Sequence, residues 1–188
     1  MKKYIYTFII VFVGYFILNS IYLEMNKDKT PGKAKRLECQ RKVVSFERGF
    51  GNDDISFAQE QIISGNNSFT SFIEKAVYSK SKLFNYISLN ITDKVMIKEL
   101  ESYIKKENIK SDEYTFSYYI YENDKKDPGK KTNKSKLYAG YIVFEVKNKN
   151  KKTIYKAQID FMDSKGADIA NTIRCTVKSF MTYNKTKD

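Results

Sequence analysis

The sequence predicts a protein of the α+β class, with an N-terminal transmembrane helix followed by helices packed on a curved antiparallel sheet. Three observations support this class. Residues 4–23 carry no charge, helical spacing of apolar residues dominates between residues 54 and 107, and apolar–polar alternation dominates between residues 114 and 161. Helices gathered before a run of strands are typical of an α+β domain, because the helices can then cover one face of the sheet.

The apolar run at residues 4–23 is long enough to cross a membrane as a helix. Twenty residues that rise about 1.5 Å each span about 30 Å, the thickness of the hydrocarbon core. A cleaved signal peptide would need a small-residue cleavage site, and the first alanine is Ala34. We therefore expect residues 1–23 to form an uncleaved membrane anchor. A cleaved signal peptide and a buried soluble helix are the alternatives.

The charges around the run predict its orientation. Lys2 and Lys3 favour a cytoplasmic N-terminus. The segment after the run is more basic still, but a long following domain is usually translocated whatever its charge. We therefore expect a single-pass protein of the bacterial inner (cytoplasmic) membrane with its C-terminal domain in the periplasm. The run has no ionisable group and no GxxxG pattern, so a passive anchor is expected.

Residues 24–42 are polar and contain Pro31 followed by Gly32, which indicates a juxtamembrane linker. The extracytoplasmic domain is then expected at residues 43–188. Its first element, at residues 43–46, fits a short strand or the start of a helix.

Three helices and one strand are predicted next. An acidic first turn before apolar residues predicts a helix over 54–64. Helical spacing and a capping-box pair predict a second helix over 69–82. Residues 83–91 are rich in β-forming side chains and predict a strand, and a third helix is predicted over 92–107.

The remainder predicts β structure. Alternation predicts strands over 114–121, 140–146 and 155–161. Residues 170–183 fit either a helix or a strand, and their many β-branched side chains favour the strand. This element order is compatible with a cystatin-like or NTF2-like cone.

Composition excludes several kinds of chemistry. The chain has no histidine, which excludes Ser–His–Asp and Cys–His catalysis and histidine metal sites within it. The densest acidic cluster, Asp53, Asp54 and Glu60, is explained by favourable charge at a helix N-terminus. We therefore predict no enzyme activity, no cofactor and no metal.

The net charge of +12 includes a basic loop at residues 125–136. A solvated loop explains this charge best, and contact with acidic lipids or an acidic protein is the alternative. Nucleic acid is not an expected partner, because no nucleic-acid-binding motif accompanies the lysines.

The two cysteines, Cys39 and Cys175, lie 136 positions apart. Export would favour a disulfide between them, because such bonds persist in oxidising compartments. By restricting the unfolded chain, a loop of this length would stabilise the fold by about 4–5 kcal/mol. Two separate thiols are the alternative.

Tyrosines fall on both faces of two strands that are expected to pair. One face must belong to the core, so Tyr119, Tyr121 and Tyr141 could form an exposed aromatic interface on the other. The alternative is a second layer in which a helix covers them.

These features favour a non-enzymatic scaffold or adaptor subunit of a bacterial envelope machine, such as a secretion system, a pilus or a flagellar motor. It would act by binding other envelope proteins and could be oligomeric within the assembly. An extracytoplasmic ligand-binding or sensing domain is the first alternative. A carboxylate-based cell-wall hydrolase and a secreted effector are further alternatives.

Overall fold

The computed structural model describes residues 37–105 and 113–184. The anchor expected at residues 4–23 lies outside the described residues, as does most of the expected linker. Among the residues that are described, no helix is both long enough and apolar enough to cross a membrane.

The described residues form four α-helices and five strands. In chain order these are α1 (Glu38–Arg41), β1 (Ser45–Gly49), α2 (Asn52–Ile63), β2 (Phe69–Glu74), α3 (Leu89–Glu101), β3 (Tyr114–Glu122), β4 (Gly140–Asn148), β5 (Thr153–Phe161) and α4 (Ile169–Met181). Short 3₁₀ turns occur at Leu83–Asn85 and Lys134–Lys136. The α+β class is confirmed.

The five strands form one sheet in the order β1-β5-β4-β3-β2. Three of the four strand pairs are antiparallel, but β2 runs parallel to β3. The expectation of a fully antiparallel sheet was therefore wrong. A parallel pair needs a long crossover connection, and the segment containing α3 provides it.

One face of the sheet forms the core together with the helices. Phe180 of α4 lies at its centre, with ring-centroid distances of 6.3 Å to Phe116, 5.7 Å to Phe144 and 4.9 Å to Tyr155. Buried apolar side chains of α2 and α3 belong to the same cluster. This arrangement explains the alternation along β3, β4 and β5, because every second side chain points into the cluster.

The predictions for residues 69–91 were wrong. The helix predicted over 69–82 is strand β2 and a loop, and the strand predicted over 83–91 is a 3₁₀ turn and the start of α3. Phe69 and Ile73 can face the core at either periodicity. Pairing with β3 selects the strand, in which both side chains pack against the core.

The last element is helix α4, so the strand predicted over 170–183 was also wrong. Ile173, Val177 and Phe180 are fully buried at helical spacing. The β-branched Thr172 and Thr176 fit the helix because their hydroxyls donate to the carbonyls of Asp168 and Ile173, at 3.1 and 2.7 Å.

The predicted disulfide is confirmed. Cys39 of α1 is bonded to Cys175 of α4, with their Cα atoms 6.0 Å apart. The neighbouring Gln40 is buried and donates from Nε2 to Ser179 Oγ at 2.6 Å. Helix α1 is thus packed on α4 and belongs to the folded unit, although it precedes residue 43.

Candidate functional site

The face of the sheet opposite the helices, here called the outer face, carries in-register rows of side chains, and two of these rows contain its aromatic residues. The pairing of the strands defines both rows. Row one contains Phe72, Tyr119, Val143, Gln158 and Phe46. Row two contains Glu74, Tyr121, Tyr141, Asp160 and, just before β1, Val44.

The three tyrosines singled out in the sequence lie together on this face. The rings of Tyr121 and Tyr141 are stacked at 4.5 Å, and Tyr119 meets Tyr141 edge-on at 6.4 Å. All three side chains are half-buried. Phe46 and Phe72 are 62% and 46% exposed, so the described helices leave both ends of row one open.

The orientation of the rings determines what the outer face can bind. Phe72 stacks on Tyr119 at 4.8 Å with 15° between the ring planes, and the Tyr121–Tyr141 pair has 19°. These separations match the spacing of neighbouring strands, about 4.8 Å, so the rings stand on edge across the sheet. One flat face of each of these four rings lies against its neighbour. These residues therefore present mainly ring edges and, for the tyrosines, hydroxyls, whereas nucleic-acid bases stack on open ring faces.

The pKa values of Tyr119 and Tyr141 are both raised, so these two hydroxyls stay protonated at physiological pH. Burial, with the neighbouring Tyr119 and Tyr121, raises the pKa of Tyr141 well above its usual range. Burial also raises the pKa of Tyr119, and the charge of Glu74 adds to the effect. Each hydroxyl can therefore both donate and accept a hydrogen bond at an interface.

Lys130 attaches the basic loop to one end of the outer face. Its ammonium donates to the Tyr121 hydroxyl at 3.2 Å and to Asn123 Oδ1. It also lies 5.2 Å from the ring centroid of Tyr121 and 5.8 Å from that of Tyr138. This lysine is thus held by the aromatic cluster, whereas its neighbour Lys131 is exposed.

Asp160 is a site residue that the sequence did not reveal. It lies in row two between Tyr141 and Val44 and is only 4% exposed. Its Oδ1 atom has no hydrogen-bond partner in the described structure. Burial raises the pKa of this carboxyl to about 6, although a hydrogen bond from Gln158 lowers it in part.

Two carboxylates at the end of β3, Glu122 and Asp124, fix the loop that follows β2. Glu122 accepts hydrogen bonds from the backbone N–H groups of Lys82 and Leu83, at 2.8 and 2.9 Å, through Oε1. Its Oε2 accepts from the N–H of Ala76 at 3.3 Å. Burial opposes ionisation, but these bonds outweigh it and the pKa of Glu122 is lowered.

Asp124 holds the same loop through five hydrogen bonds. Its Oδ2 accepts from the N–H groups of Val77, Tyr78 and Ser79, and its Oδ1 accepts from the Ser79 hydroxyl and the Lys126 N–H. Burial opposes ionisation here too, yet the hydrogen bonds lower the pKa to about 2. Because the oxygens of Glu122 and Asp124 already accept hydrogen bonds from this loop, the two carboxylates have a structural role.

The acidic residues Asp53 and Asp54 also have a structural role. Asp53 and Asp54 lie in the first turn of α2, and Asp54 Oδ1 accepts a hydrogen bond from the Tyr114 hydroxyl at 3.2 Å. The described part of the chain contains no group of three or more side chains placed to hold a metal ion.

A groove of about 710 Å³ lies beside the disulfide, between α1 and α4. Its wall includes several charged side chains, namely Glu38, Lys42, Glu99, Asp168, Arg174 and Lys178. Binding sites for small ligands are mostly apolar with few polar groups. Most of the surface of this groove is apolar as well, and its charged side chains carry both signs.

These observations define an α+β domain with an aromatic outer sheet face. The sequence matches no protein-family model and no curated protein. The solved structures that are similar to it include a variant PelC dodecamer from Paraburkholderia phytofirmans, at TM-score 0.38 and 10% identity, and a PelC dodecamer from the same organism, at TM-score 0.36 and 11% identity. Each alignment covers 73% of this chain and 96% of the other.

Proposed function

We propose that this chain is a non-enzymatic scaffold or adaptor that binds another protein through the outer face of its sheet. The observation that carries the proposal is the on-edge ring pair of Phe72 and Tyr119, in a row whose two end residues, Phe72 and Phe46, are exposed. Tyr119, Tyr121 and Tyr141 form the centre of this surface.

The chemistry of the face favours a protein partner. Contiguous exposed apolar patches are uncommon on monomeric proteins and often mark interaction sites. Tyrosine is enriched at protein interfaces, because one side chain supplies both apolar area and a hydroxyl. Since ring stacking already orders these side chains, binding costs less conformational entropy than it would for free side chains.

The proposal also includes a location. Residues 4–23 would hold the domain at the bacterial inner membrane, with the domain in the periplasm as part of an envelope machine such as a secretion system, a pilus or a flagellar motor. The Cys39–Cys175 disulfide supports an oxidising compartment. A membrane tether would raise the effective concentration of the domain near its partners. The finer expectation of a cystatin-like or NTF2-like cone stays a prediction.

Site-specific crosslinking in cells tests the proposed surface. The full chain would carry the photoreactive amino acid benzoylphenylalanine in place of Tyr141 or, as a matched control, in place of Phe57, an exposed aromatic residue of α2 that is 63% exposed. We expect a discrete protein adduct from position 141 and none from position 57.

A further substitution makes this experiment specific. Tyr119→Glu places a charge in the centre of row one and is expected to abolish the adduct at position 141. Equal adducts from both positions, or an adduct at position 141 that survives Tyr119→Glu, would contradict the proposal.

A further inference from the structure

Strand β2 is one edge of the sheet, and its outward side has no partner among the described residues. The strand pairs with β3 alone, and no other described group bonds to the backbone of residues 69–74. An edge strand directs a row of N–H and C=O groups away from its sheet. Even the inward side chains Phe69, Ser71 and Ile73 are only half-buried, so solvent reaches both faces of the strand. This edge is therefore open to a further strand.

The opposite edge of the sheet, strand β1, is protected against such pairing. The N–H of Gly49 donates to the Tyr183 hydroxyl at 3.0 Å, so this group is already bonded outside the sheet. The strand also carries the adjacent charges of Glu47 and Arg48. Charged side chains and covering groups are common devices against pairing at sheet edges. Residues 69–73 of β2 contain no charge and no proline, and their register with β3 has no bulge.

The ring of Phe72 determines which strand suits the β2 edge. One face of this ring stacks on Tyr119 at 4.8 Å, which is also the spacing of neighbouring strands. Phe72 is 46% exposed and ends row one, so its second ring face is directed past the edge. An added strand would lie one strand spacing further out, and an aromatic side chain on it would continue the stack. The edge thus favours a strand with an aromatic residue opposite Phe72.

A second copy of β2 supplies such a strand. When two β2 strands pair antiparallel about a twofold axis at Phe72, the two Phe72 rings lie opposite each other. Glu74 of each copy then lies opposite Thr70 of the other, where the threonine hydroxyl can donate to the carboxylate. Sliding the strands by two residues would place Phe72 against Thr70 or against Glu74 and break the ring pair. Sliding them by one residue would put opposite side chains on different faces.

We propose that two copies of this chain join their sheets edge to edge through an antiparallel β2–β2 pair centred on Phe72. Row one would then run without a gap through both sheets. The pairing uses the edge of the sheet, so the tyrosines of the outer face stay available to another protein. This self-association goes beyond the proposed function and does not depend on it.

Disulfide trapping in cells tests both the partner and the register. The two natural cysteines are bonded to each other, so an introduced cysteine supplies the free thiol. One tagged form of the full chain would carry Thr70→Cys, and a second form with a different tag would carry Glu74→Cys. Opposite Cα atoms of an antiparallel pair lie about 4.5–5.5 Å apart, within the range of a disulfide. We expect cells that produce both forms to give a crosslinked dimer with both tags after mild oxidation.

Two controls make the trapping specific. In the proposed register, two Thr70→Cys copies hold their thiols about 14 Å apart, so either form alone should give at least tenfold less dimer. The matched control at the other edge combines Val44→Cys with Arg48→Cys, two exposed positions that are also four residues apart along one strand. This pair should give no dimer above the level of the single forms.

Hydrogen exchange adds a measurement that needs no substitution. The full chain in detergent micelles would be followed by NMR over a wide range of protein concentration. The β2 amides that do not bond to β3 should become roughly tenfold more protected as the concentration rises, because the second copy accepts their hydrogen bonds. The amides of β1, the other edge strand, should keep the same protection throughout.

The results separate self-pairing from the proposed function. Equal dimer yields from the mixture and the single forms, an equal yield at β1, or unprotected β2 amides at every concentration would overturn the β2–β2 pair. Protection that appears only after other envelope proteins are added would also overturn it and assign the edge to a strand of a different protein. The crosslink from position 141 to another protein persists in these cases if the proposed function holds. Loss of that crosslink, with the trapped dimer intact, overturns the outer-face interface and leaves the self-pairing in place.

Discussion

Asp124 and Asp160 have similar exposed fractions, 3% and 4%, but they differ in their hydrogen bonding and in the direction of their pKa shifts. Asp124 accepts five hydrogen bonds, and its pKa falls to about 2. Asp160 keeps a free oxygen, and burial raises its pKa to about 6. The two carboxyls differ in their hydrogen-bond donors and in the effect of burial on their pKa values, and both differences decide whether a carboxylate stabilises this fold.

The largest effect on stability is expected when Glu122 is replaced, because this residue, like Asp124, accepts several hydrogen bonds from the loop after β2. Glu122→Ala removes the acceptor of three backbone N–H groups in the loop after β2. We expect the free energy of unfolding to fall by about 2–3 kcal/mol, because buried donors lose their partner. Urea denaturation measures this loss. The exposed Glu74→Ala is the control, with an expected change below about 0.5 kcal/mol.

Acid should weaken the same loop. The folded-state pKa values of Glu122 and Asp124 lie below those of the unfolded chain, about 4, so the native state binds fewer protons. Their stabilisation is present above pH 4 and is lost as the pH falls toward about 2. Hydrogen exchange of Val77 and Ser79 reports the loss directly. Protection factors, which correct for the intrinsic pH dependence of amide exchange, that stay equally high from pH 4.5 to 2.5 would falsify the loop-pinning role.

Asp160 should show the opposite pH dependence. Its folded-state pKa lies above the unfolded value, so its contribution is most favourable below about pH 4 and is lost as the pH rises through about 6. Two pKa units correspond to about 3 kcal/mol, but we expect about 1 kcal/mol because the structure around a buried carboxylate relaxes when it ionises. Asp160→Asn should therefore raise the free energy of unfolding by about 1 kcal/mol at pH 7.5 and leave it nearly unchanged at pH 4.5. An equal effect at both pH values would show that the unpaired charge is not the cause.

The smallest effect on stability is expected at Lys130, whose ammonium lies against the rings of Tyr121 and Tyr138. Lys130→Met removes the cation from Tyr121 and Tyr138 and should lower the free energy of unfolding by about 0.5 kcal/mol. The exposed neighbour Lys131→Met is the matched control and should have no measurable effect. A loss shared by both variants in thermal denaturation would point to the charge of the loop instead of the aromatic contact.

Local patterns were enough to predict some elements but not others. The strands β3, β4 and β5 follow from alternation, because one face of each is buried against helices. Strand β2 could not be recognised in this way, since Phe69, Phe72 and Ile73 match a helix as well. Its identity depends on pairing with β3 and on distant acceptors at Glu122 and Asp124, which no local window contains.

The same limit applies to the candidate site. Tyr119, Tyr121 and Tyr141 could be placed on one face because strand periodicity alone fixes the side on which they lie. Asp160 was overlooked because its burial depends on the register that sets it beside Tyr141 and Val44. A carboxylate opposite a tyrosine in a β-rich segment is the sequence signal that could have drawn attention to it.

The disulfide also defines how the domain would respond to pulling. A force that arrives through the chain before Leu37 meets the Cys39–Cys175 bond and passes directly into α4. The residues between the two cysteines are bypassed, so they cannot be drawn out as an extended chain while the bond is intact. In mechanical terms, tension between the preceding chain and a partner on the outer face would reach the sheet through α4 and its core contacts instead of through β1.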